Sequence, residues 1–220
     1  MPGLDTSLHT DMLDEFKHQN SLPRRLYRSV RREFNGNNIY GMAWGDPDTE
    51  APLRFVRSHW VLPYVDRDHK AVEIGPGGGR WTQYLLGFGQ LYAVDYYPEL
   101  LEQLKKNFDK PNVVFVRNSG TDFPGVPVHG IDFVFSFGTF VHLEPPLIEA
   151  YLKNIREILK PGGNVVIHYS DKEKIMARKN PTFVETTPQS MRTMVTEAGF
   201  TIVEEDLTTL WHSSLIRLTA

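Results

Sequence analysis

The chain has 220 residues, 40 % hydrophobic and 23 % charged, with a formal net charge of −3 at pH 7. This is enough chain for one core with a decorated end, and the charge balance offers no global attraction to nucleic acid or an anionic membrane. The absence of cysteine excludes disulfides, thiolate zinc sites and cysteine nucleophiles.

Residues 1–20 are polar, with Leu8, Met12, Leu13 and Phe16 at helical spacing, and predict a loose amphipathic helix. In residues 21–34, Leu22, Leu26, Val30 and Phe34 repeat every four positions, while Arg24, Arg25, Arg28, Arg31 and Arg32 fall largely on the other face. That face is either solvated or a clamp for an anionic substrate group, with Arg28 the representative candidate. Residues 35–52 form a loop rich in Gly, Asn, Asp and Pro that holds Tyr40, Met42 and Trp44. The aromatics serve either as an anchor or as a lid whose ring faces attract a cationic ligand. Residues 53–65 predict a helix with Leu53, Val56, Trp60 and Tyr64 on one side. A division follows, with an N-terminal extension over 1–52 and the main domain over 53–220.

Residues 71–82 (AVEIGPGGGRWT) are the organising stretch: an apolar run stops at four glycines and a proline, and a helical pattern follows. Gly75, Pro76, Gly77 and Gly79 form a strand-to-helix corner where bare backbone can approach a ligand. Asp95 ends the next apolar run, twenty positions after Gly75, where an acid binds ribose hydroxyls in nucleotide-binding folds. The third glycine of the dinucleotide fingerprint is replaced by Arg80, and Glu73 would repel a pyrophosphate. Glu73 instead suits a ligand with an ammonium group, and S-adenosylmethionine has a ribose, an amino acid tail and no phosphate.

Beyond Asp95 the elements alternate: a helix over 98–108, a strand over 113–116, a strand over 131–136, a helix over 143–160, and a strand over 164–169 after Lys160-Pro161-Gly162-Gly163. Residues 171–186 read as charged, irregular and mobile. Thr187 and Pro188 open the next helix as N-cap and first residue, and Gly199 closes it. Strands over 200–207 and 213–218 end the chain.

Glu73-Ile74-Gly75-Pro76-Gly77-Gly78-Gly79 with Asp95 resembles motifs I and II of the class I S-adenosylmethionine-dependent methyltransferases, and the resemblance extends over residues 53–220. It implies an α/β, Rossmann-like seven-stranded mixed sheet of order 3-2-1-4-5-7-6, with the last strand antiparallel and helices on both faces. It also implies S-adenosylmethionine as cofactor and S-adenosylhomocysteine as product. Tyr96 lies beside Asp95, and the family's adenine-contacting loop falls on Asn118, Ser119, Gly120 and Thr121. Strand 131–136 resembles motif IV, after which Phe137 and Gly138 are candidates for the cofactor and Phe140 for the acceptor.

Methyl transfer needs alignment, exclusion of water and, for a hydroxyl acceptor, a base. His142, which follows the fourth strand, is the first candidate base and His168 the second. Tyr169 and His212 join Phe140, Tyr40 and Arg28 as candidate substrate residues, and Trp44 as a candidate for the cofactor. Strand alternation means that only one of His168 and Tyr169 faces a given side. No metal-ligand spacing is present. The residues after the fourth strand lack the pattern of nucleic-acid amine methyltransferases, an acid or Asn followed by Pro-Pro-aromatic, and no RNA-binding module is appended, which speaks against nucleic acid as a partner. The expectation is therefore O-methylation of a small-molecule acceptor such as a sugar, phenol or biosynthetic intermediate. N-methylation of a small amine, a non-catalytic cofactor-binding protein and a nucleic-acid methyltransferase stay open as alternatives, as does a homo-oligomer. No apolar run approaches the roughly 20 residues that span a bilayer, and the N-terminus lacks a signal-peptide core, so the expected location is cytoplasmic with no membrane partner.

Overall fold

The computed structural model describes residues 41–220. The helices expected over 1–20 and 21–34, Arg28 and Tyr40 lie outside the described residues.

A short 3-10 turn, Met42–Trp44, precedes α1 (Ala51–Phe55), which widens into a π turn over Val56–Val61 and tightens to a 3-10 turn over Leu62–Tyr64. The uniform helix expected here is thus broken into three. Pro63 has no N–H to continue the ladder, and the wide turn buries Trp60 and Val61 together with Val56. The chain then alternates: β1 (Lys70–Ile74), α2 (Thr82–Leu85), β2 (Gln90–Asp95), α3 (Pro98–Phe108), β3 (Val113–Arg117), β4 (Ile131–Ser136), a 3-10 turn (Phe140–His142) and α4 (Pro145–Ile158). β5 (Leu159–Ser170), α5 (Ile175–Arg178), α6 (Pro188–Glu197), β6 (Thr201–Asp206) and β7 (Ser213–Thr219) complete it.

The seven strands form one sheet in the order β3-β2-β1-β4-β5-β7-β6. The first five run parallel, and β7 is antiparallel to both β5 and β6. Parallel strands need both faces covered, so their side chains are apolar on both sides. One face carries Val72, Ile74, Val134, Val165, Ile167 and Ile216 into a core with the buried side of α4 and α6. The other carries Ala71, Phe133, Phe135 and Val166 into a core with α1, the π turn and α3. Leu100, Leu101, Leu104 and Phe108 form the buried stripe of α3, each contributing roughly 1.5–3 kcal/mol of transfer energy.

β5 is longer than expected. Its register with β4 jumps from Ile131↔Leu159 to Phe133↔Asn164, so Pro161-Gly162-Gly163 is an irregularity within the strand rather than a turn before it. α6 has the expected ends: the Thr187 hydroxyl accepts from the Ser190 N–H, Pro188 is first, and Gly199 follows the helix with φ +82°. Among the described residues, no helix is long and apolar enough to cross a membrane.

Candidate functional site

Two clusters meet at the C-terminal edge of the parallel strands, the edge where open α/β sheets collect ligands. The first is the β1 corner. Gly75 has φ +68°, and a Cβ there would lie 1.9 Å from Thr139 Oγ1, so the loop after β4 itself requires bare backbone. The Ser136 and Thr139 hydroxyls both donate to the Ile74 carbonyl, and the Gly75 N–H donates to the Val94 carbonyl, which ties the ends of β1, β2 and β4 together.

Two carboxylates flank this corner. Glu73 is 2 % exposed and accepts from the Thr82 hydroxyl at 2.6 Å. Burial raises its pKa to about 8; the Thr82 bond opposes the rise, and the charge of Asp95 adds to it. Asp95, also buried, is raised by burial to about 6, against the pull of backbone N–H groups of Tyr97, Gly77 and Tyr96. Among the described residues neither carboxylate forms an ion pair. Buried acids without cations are costly unless something supplies the missing charge or hydrogen bonds. A ligand with an ammonium and a ribose diol supplies both, so these residues fit S-adenosylmethionine.

Pro76 and Gly77 lie in the corner between the two acids. Gly79 does not face a ligand: a Cβ there would meet Phe108 at 2.1 Å, so this glycine lets α3 pack against the corner. Tyr96 packs edge-on to Tyr97 at the tip of β2. The loop after β3 is rigidly held. The Asn118 N–H donates to the Asp95 carbonyl, its Nδ2 donates to the Gly120 carbonyl and Tyr151 Oη, and its buried Oδ1 has no partner among the described residues. The Ser119 N–H and hydroxyl donate to Asp122, and the Thr121 carbonyl and hydroxyl accept from Asn154. The orphaned Asn118 oxygen and the open space beside Gly120 are the features here that a purine edge would use.

The second cluster lies at the ends of β4, β5 and β7. Phe137 stacks on His168 at 3.9 Å between ring centres and packs on Trp81 at 4.6 Å. The Gly138 N–H donates to His168 Nδ1 at 3.0 Å, so the hydrogen of His168 is on Nε2, which donates to Ser213 Oγ. Ser213 Oγ also bonds His212 Nδ1 at 2.7 Å. Burial depresses the pKa of His168 well below its usual value, helped by His212 and Arg80; burial, Lys174 and Arg80 depress that of His212. Both rings are therefore neutral near pH 7. His142 sits in the turn after β4, where its Nδ1 donates to the Thr182 carbonyl at 2.8 Å, leaving Nε2 as its basic nitrogen. The Phe183 ring lies edge-on to both His142 and His212.

The structure corrects several expectations. Tyr169 and Phe140 are fully buried in the core on the α4 side, so neither is open to a substrate. Alternation sends Tyr169 to the face opposite His168, and Phe140 turns inward against Tyr151. His168 has both ring nitrogens engaged and is 2 % exposed, so it positions neighbours rather than reaching an acceptor. His212 is the exposed end of that chain. Trp44 is half exposed, beside Gly41. The stretch 171–186, expected to be irregular and mobile, is tied down. Asp171 accepts from Ser214, Thr186 and Val184 bond Ser170, and Lys174 Nζ donates to the carbonyls of Leu210 and Ser213.

Sequence reasoning did not single out Thr82, Thr139, Ser213 or Arg80 as parts of the site. Arg80 carried a signal, being the non-glycine in the fingerprint. Ser213 carried none, because its role comes from the β5–β7 register, in which Leu215 lies opposite His168 and Ser213 is the diagonal neighbour.

Residues 71–163 match the family model described as a methyltransferase domain. A tRNA U34 carboxymethyltransferase from Pseudomonas fluorescens is 26 % identical over 168 residues, covering 67 % of this chain and 52 % of that protein. Its namesake from Cellvibrio japonicus is 29 % identical over 122 residues, covering 50 % of this chain and 37 % of that protein. The chain thus spans about half or less of these curated relatives. Among solved structures, the complex between the Haloferax volcanii Trm112 methyltransferase activator and a methyltransferase matches with TM-score 0.67 at 19 % identity, over 82 % of this chain and 91 % of that one. An S-adenosylmethionine-dependent methyltransferase from Mesorhizobium loti matches with TM-score 0.65 at 13 % identity, over 79 % and 99 %. At these identities the structural likeness is one of fold.

These relatives correct the expectation against nucleic acid, since two proteins matching half or more of this chain are named for action on tRNA. A missing acid-Pro-Pro-aromatic pattern is a test for amine methylation, and it has no bearing on other positions of RNA. The matched domain, the strand order and the corner between Glu73 and Asp95 agree on a class I S-adenosylmethionine-dependent methyltransferase domain, whose donor is S-adenosylmethionine and whose product is S-adenosylhomocysteine.

Proposed function

We propose that the protein transfers the methyl group of S-adenosylmethionine to a hydroxyl. The observation that carries the donor half is the Gly75 corner, with two buried carboxylates of raised pKa and no cation paired with them among the described residues. When bound, S-adenosylmethionine supplies a methyl group on a sulfonium whose departure leaves neutral S-adenosylhomocysteine. In this reading Glu73 meets the ammonium, Asp95 accepts from the ribose hydroxyls, and Asn118 with Gly120 borders the adenine. Phe137 and Trp81 wall off water near the transferred group. His142 takes the acceptor's proton at Nε2 as the O–C bond forms, and its Nδ1–H bond to Thr182 keeps the ring in the tautomer that can do so. His168, Ser213 and His212 hold the opposite wall in a neutral, hydrogen-bonded state.

A second reading concerns what carries the hydroxyl. The names of the two curated relatives favour an RNA nucleoside.

Calorimetry with S-adenosylhomocysteine tests the donor half: a defined one-to-one heat is expected, and none at high ligand concentration sinks the proposal. Incubation with tritiated donor and either bulk tRNA or a panel of hydroxyl compounds identifies the carrier. His142→Gln should lower turnover by roughly 10²–10⁴ at unchanged donor affinity, and full activity in that variant removes the base.

A further inference from the structure

Arg80 follows the glycine corner, and its side chain is 7 % exposed. Among the described residues its guanidinium makes no hydrogen bond and no ion pair. It lies over two ring faces, 5.3 Å from the Phe137 centre and 5.9 Å from that of Trp81. One of its terminal nitrogens is 4.0 Å from the place a Cβ on Gly138 would take, and that glycine, at φ +88°, leaves the space open.

A buried cation needs a counter-charge, and ring faces provide only part of one. Glu50 acts on Arg80 through space, and burial lowers its pKa to about 10, so it remains cationic at neutral pH. Its direction is legible in its effects. It depresses His168 and His212 at the second cluster, whereas Glu73 responds to burial, Thr82 and Asp95. Phe137, over which Arg80 lies, stacks in turn on His168, so the guanidinium sits at the His168 end of the cleft.

We propose that Arg80 is the receptor for a carboxylate held beside the transferred methyl group, so that the acceptor unit bears both a hydroxyl and a carboxylate. The inference rests on the methyl-transfer reading. A guanidinium gripping a carboxylate through two parallel N–H bonds fixes the acceptor's orientation as well as its position, and alignment is what an in-line displacement needs. The ring faces of Phe137 and Trp81 attract the guanidinium, and the neutral histidines place no competing cation next to it. The methionine end of the donor also carries a carboxylate, so the same chemistry has two sources, which binding measurements separate.

The full chain, as wild type, Arg80→Gln and Arg80→Lys, is titrated by calorimetry with S-adenosylhomocysteine and with its decarboxylated analogue. The S-adenosylhomocysteine-loaded protein is then titrated by NMR with 4-hydroxybenzoate and 4-hydroxybenzamide. The expected result is a preference of tenfold or more for the acid over the amide in wild type. That preference should be lost in Arg80→Gln and partly kept in Arg80→Lys, with S-adenosylhomocysteine affinity unchanged within about threefold. A loss of tenfold or more for S-adenosylhomocysteine in Arg80→Gln, with none for the decarboxylated analogue, also supports a carboxylate receptor and assigns it to the donor. If wild type discriminates neither pair, or Arg80→Gln discriminates both as wild type does, the inference is overturned. If wild type does not bind S-adenosylhomocysteine, it is the methyl-transfer reading that fails.

Discussion

The two ends of the cleft are built on opposite electrostatic plans. At the β1 corner, burial holds two acids partly protonated, Glu73 at about 8 and Asp95 at about 6. At the ends of β4, β5 and β7, burial keeps His168 and His212 neutral, and Arg80 stays cationic with no hydrogen-bonded or ion-paired partner among the described residues. Among the described residues, the two acids at one end form no ion pair, and neither does the guanidinium at the other. Each is costly alone, and each becomes favourable when a ligand brings the complement.

The contrast breaks most severely at Gly75. Gly75→Ala puts a Cβ against Thr139 Oγ1 in a backbone that side chains rarely adopt. It should cost about 1–3 kcal/mol of stability and abolish S-adenosylhomocysteine binding, read by thermal unfolding and calorimetry. Unchanged binding would mean the donor does not approach that backbone.

Ser213→Ala acts on the other end. It leaves the buried His168 Nε2–H without an acceptor and should cost about 1–3 kcal/mol. Turnover should fall with donor affinity intact, and Ser213→Thr should restore part of it. Loss of donor binding instead would show that the two ends are not separable.

The gentlest test uses pH. For Glu73 the folded pKa lies above the unfolded one, so its contribution to stability is complete below about 4.5 and is lost as pH rises through about 8. For His168 the folded pKa lies below, so its contribution is present above the usual 6.5 and is lost as pH falls beneath it. The free protein should therefore weaken toward alkali through the donor end and toward acid through the acceptor end. Glu73→Gln should flatten the alkaline limb only, while reducing donor affinity. Donor binding should strengthen from pH 6 to 8 with proton release, measured by calorimetry in buffers of different ionisation enthalpy. A flat alkaline limb in wild type would contradict the burial of an unpaired Glu73.

The donor end was largely legible beforehand because its parts are close in sequence. A strand, a glycine turn and an acid at the next strand's tip follow from local backbone geometry and a fixed spacing. Thr187, Pro188 and Gly199 marked α6 for the same reason, since caps are decided within one turn of helix. The other end was legible only in part. His142, His168 and His212 could be named, but Ser213 could not, and Tyr169 and Phe140 were placed on the wrong side of the packing. Alternation predicts that His168 and Tyr169 point apart, but it does not say which faces the cleft.

By itself, then, the order of residues determined the sheet, its apolar faces, the glycine corner and the acids that flank it, because these depend on periodicity and short-range backbone chemistry. Tertiary structure alone decided that Gly79 serves packing, that Ser213 links two histidines, and that Arg80 is buried with no ion pair among the described residues. Those outcomes depend on which strands become neighbours and in what register, a choice made by the whole core rather than by any short stretch of chain.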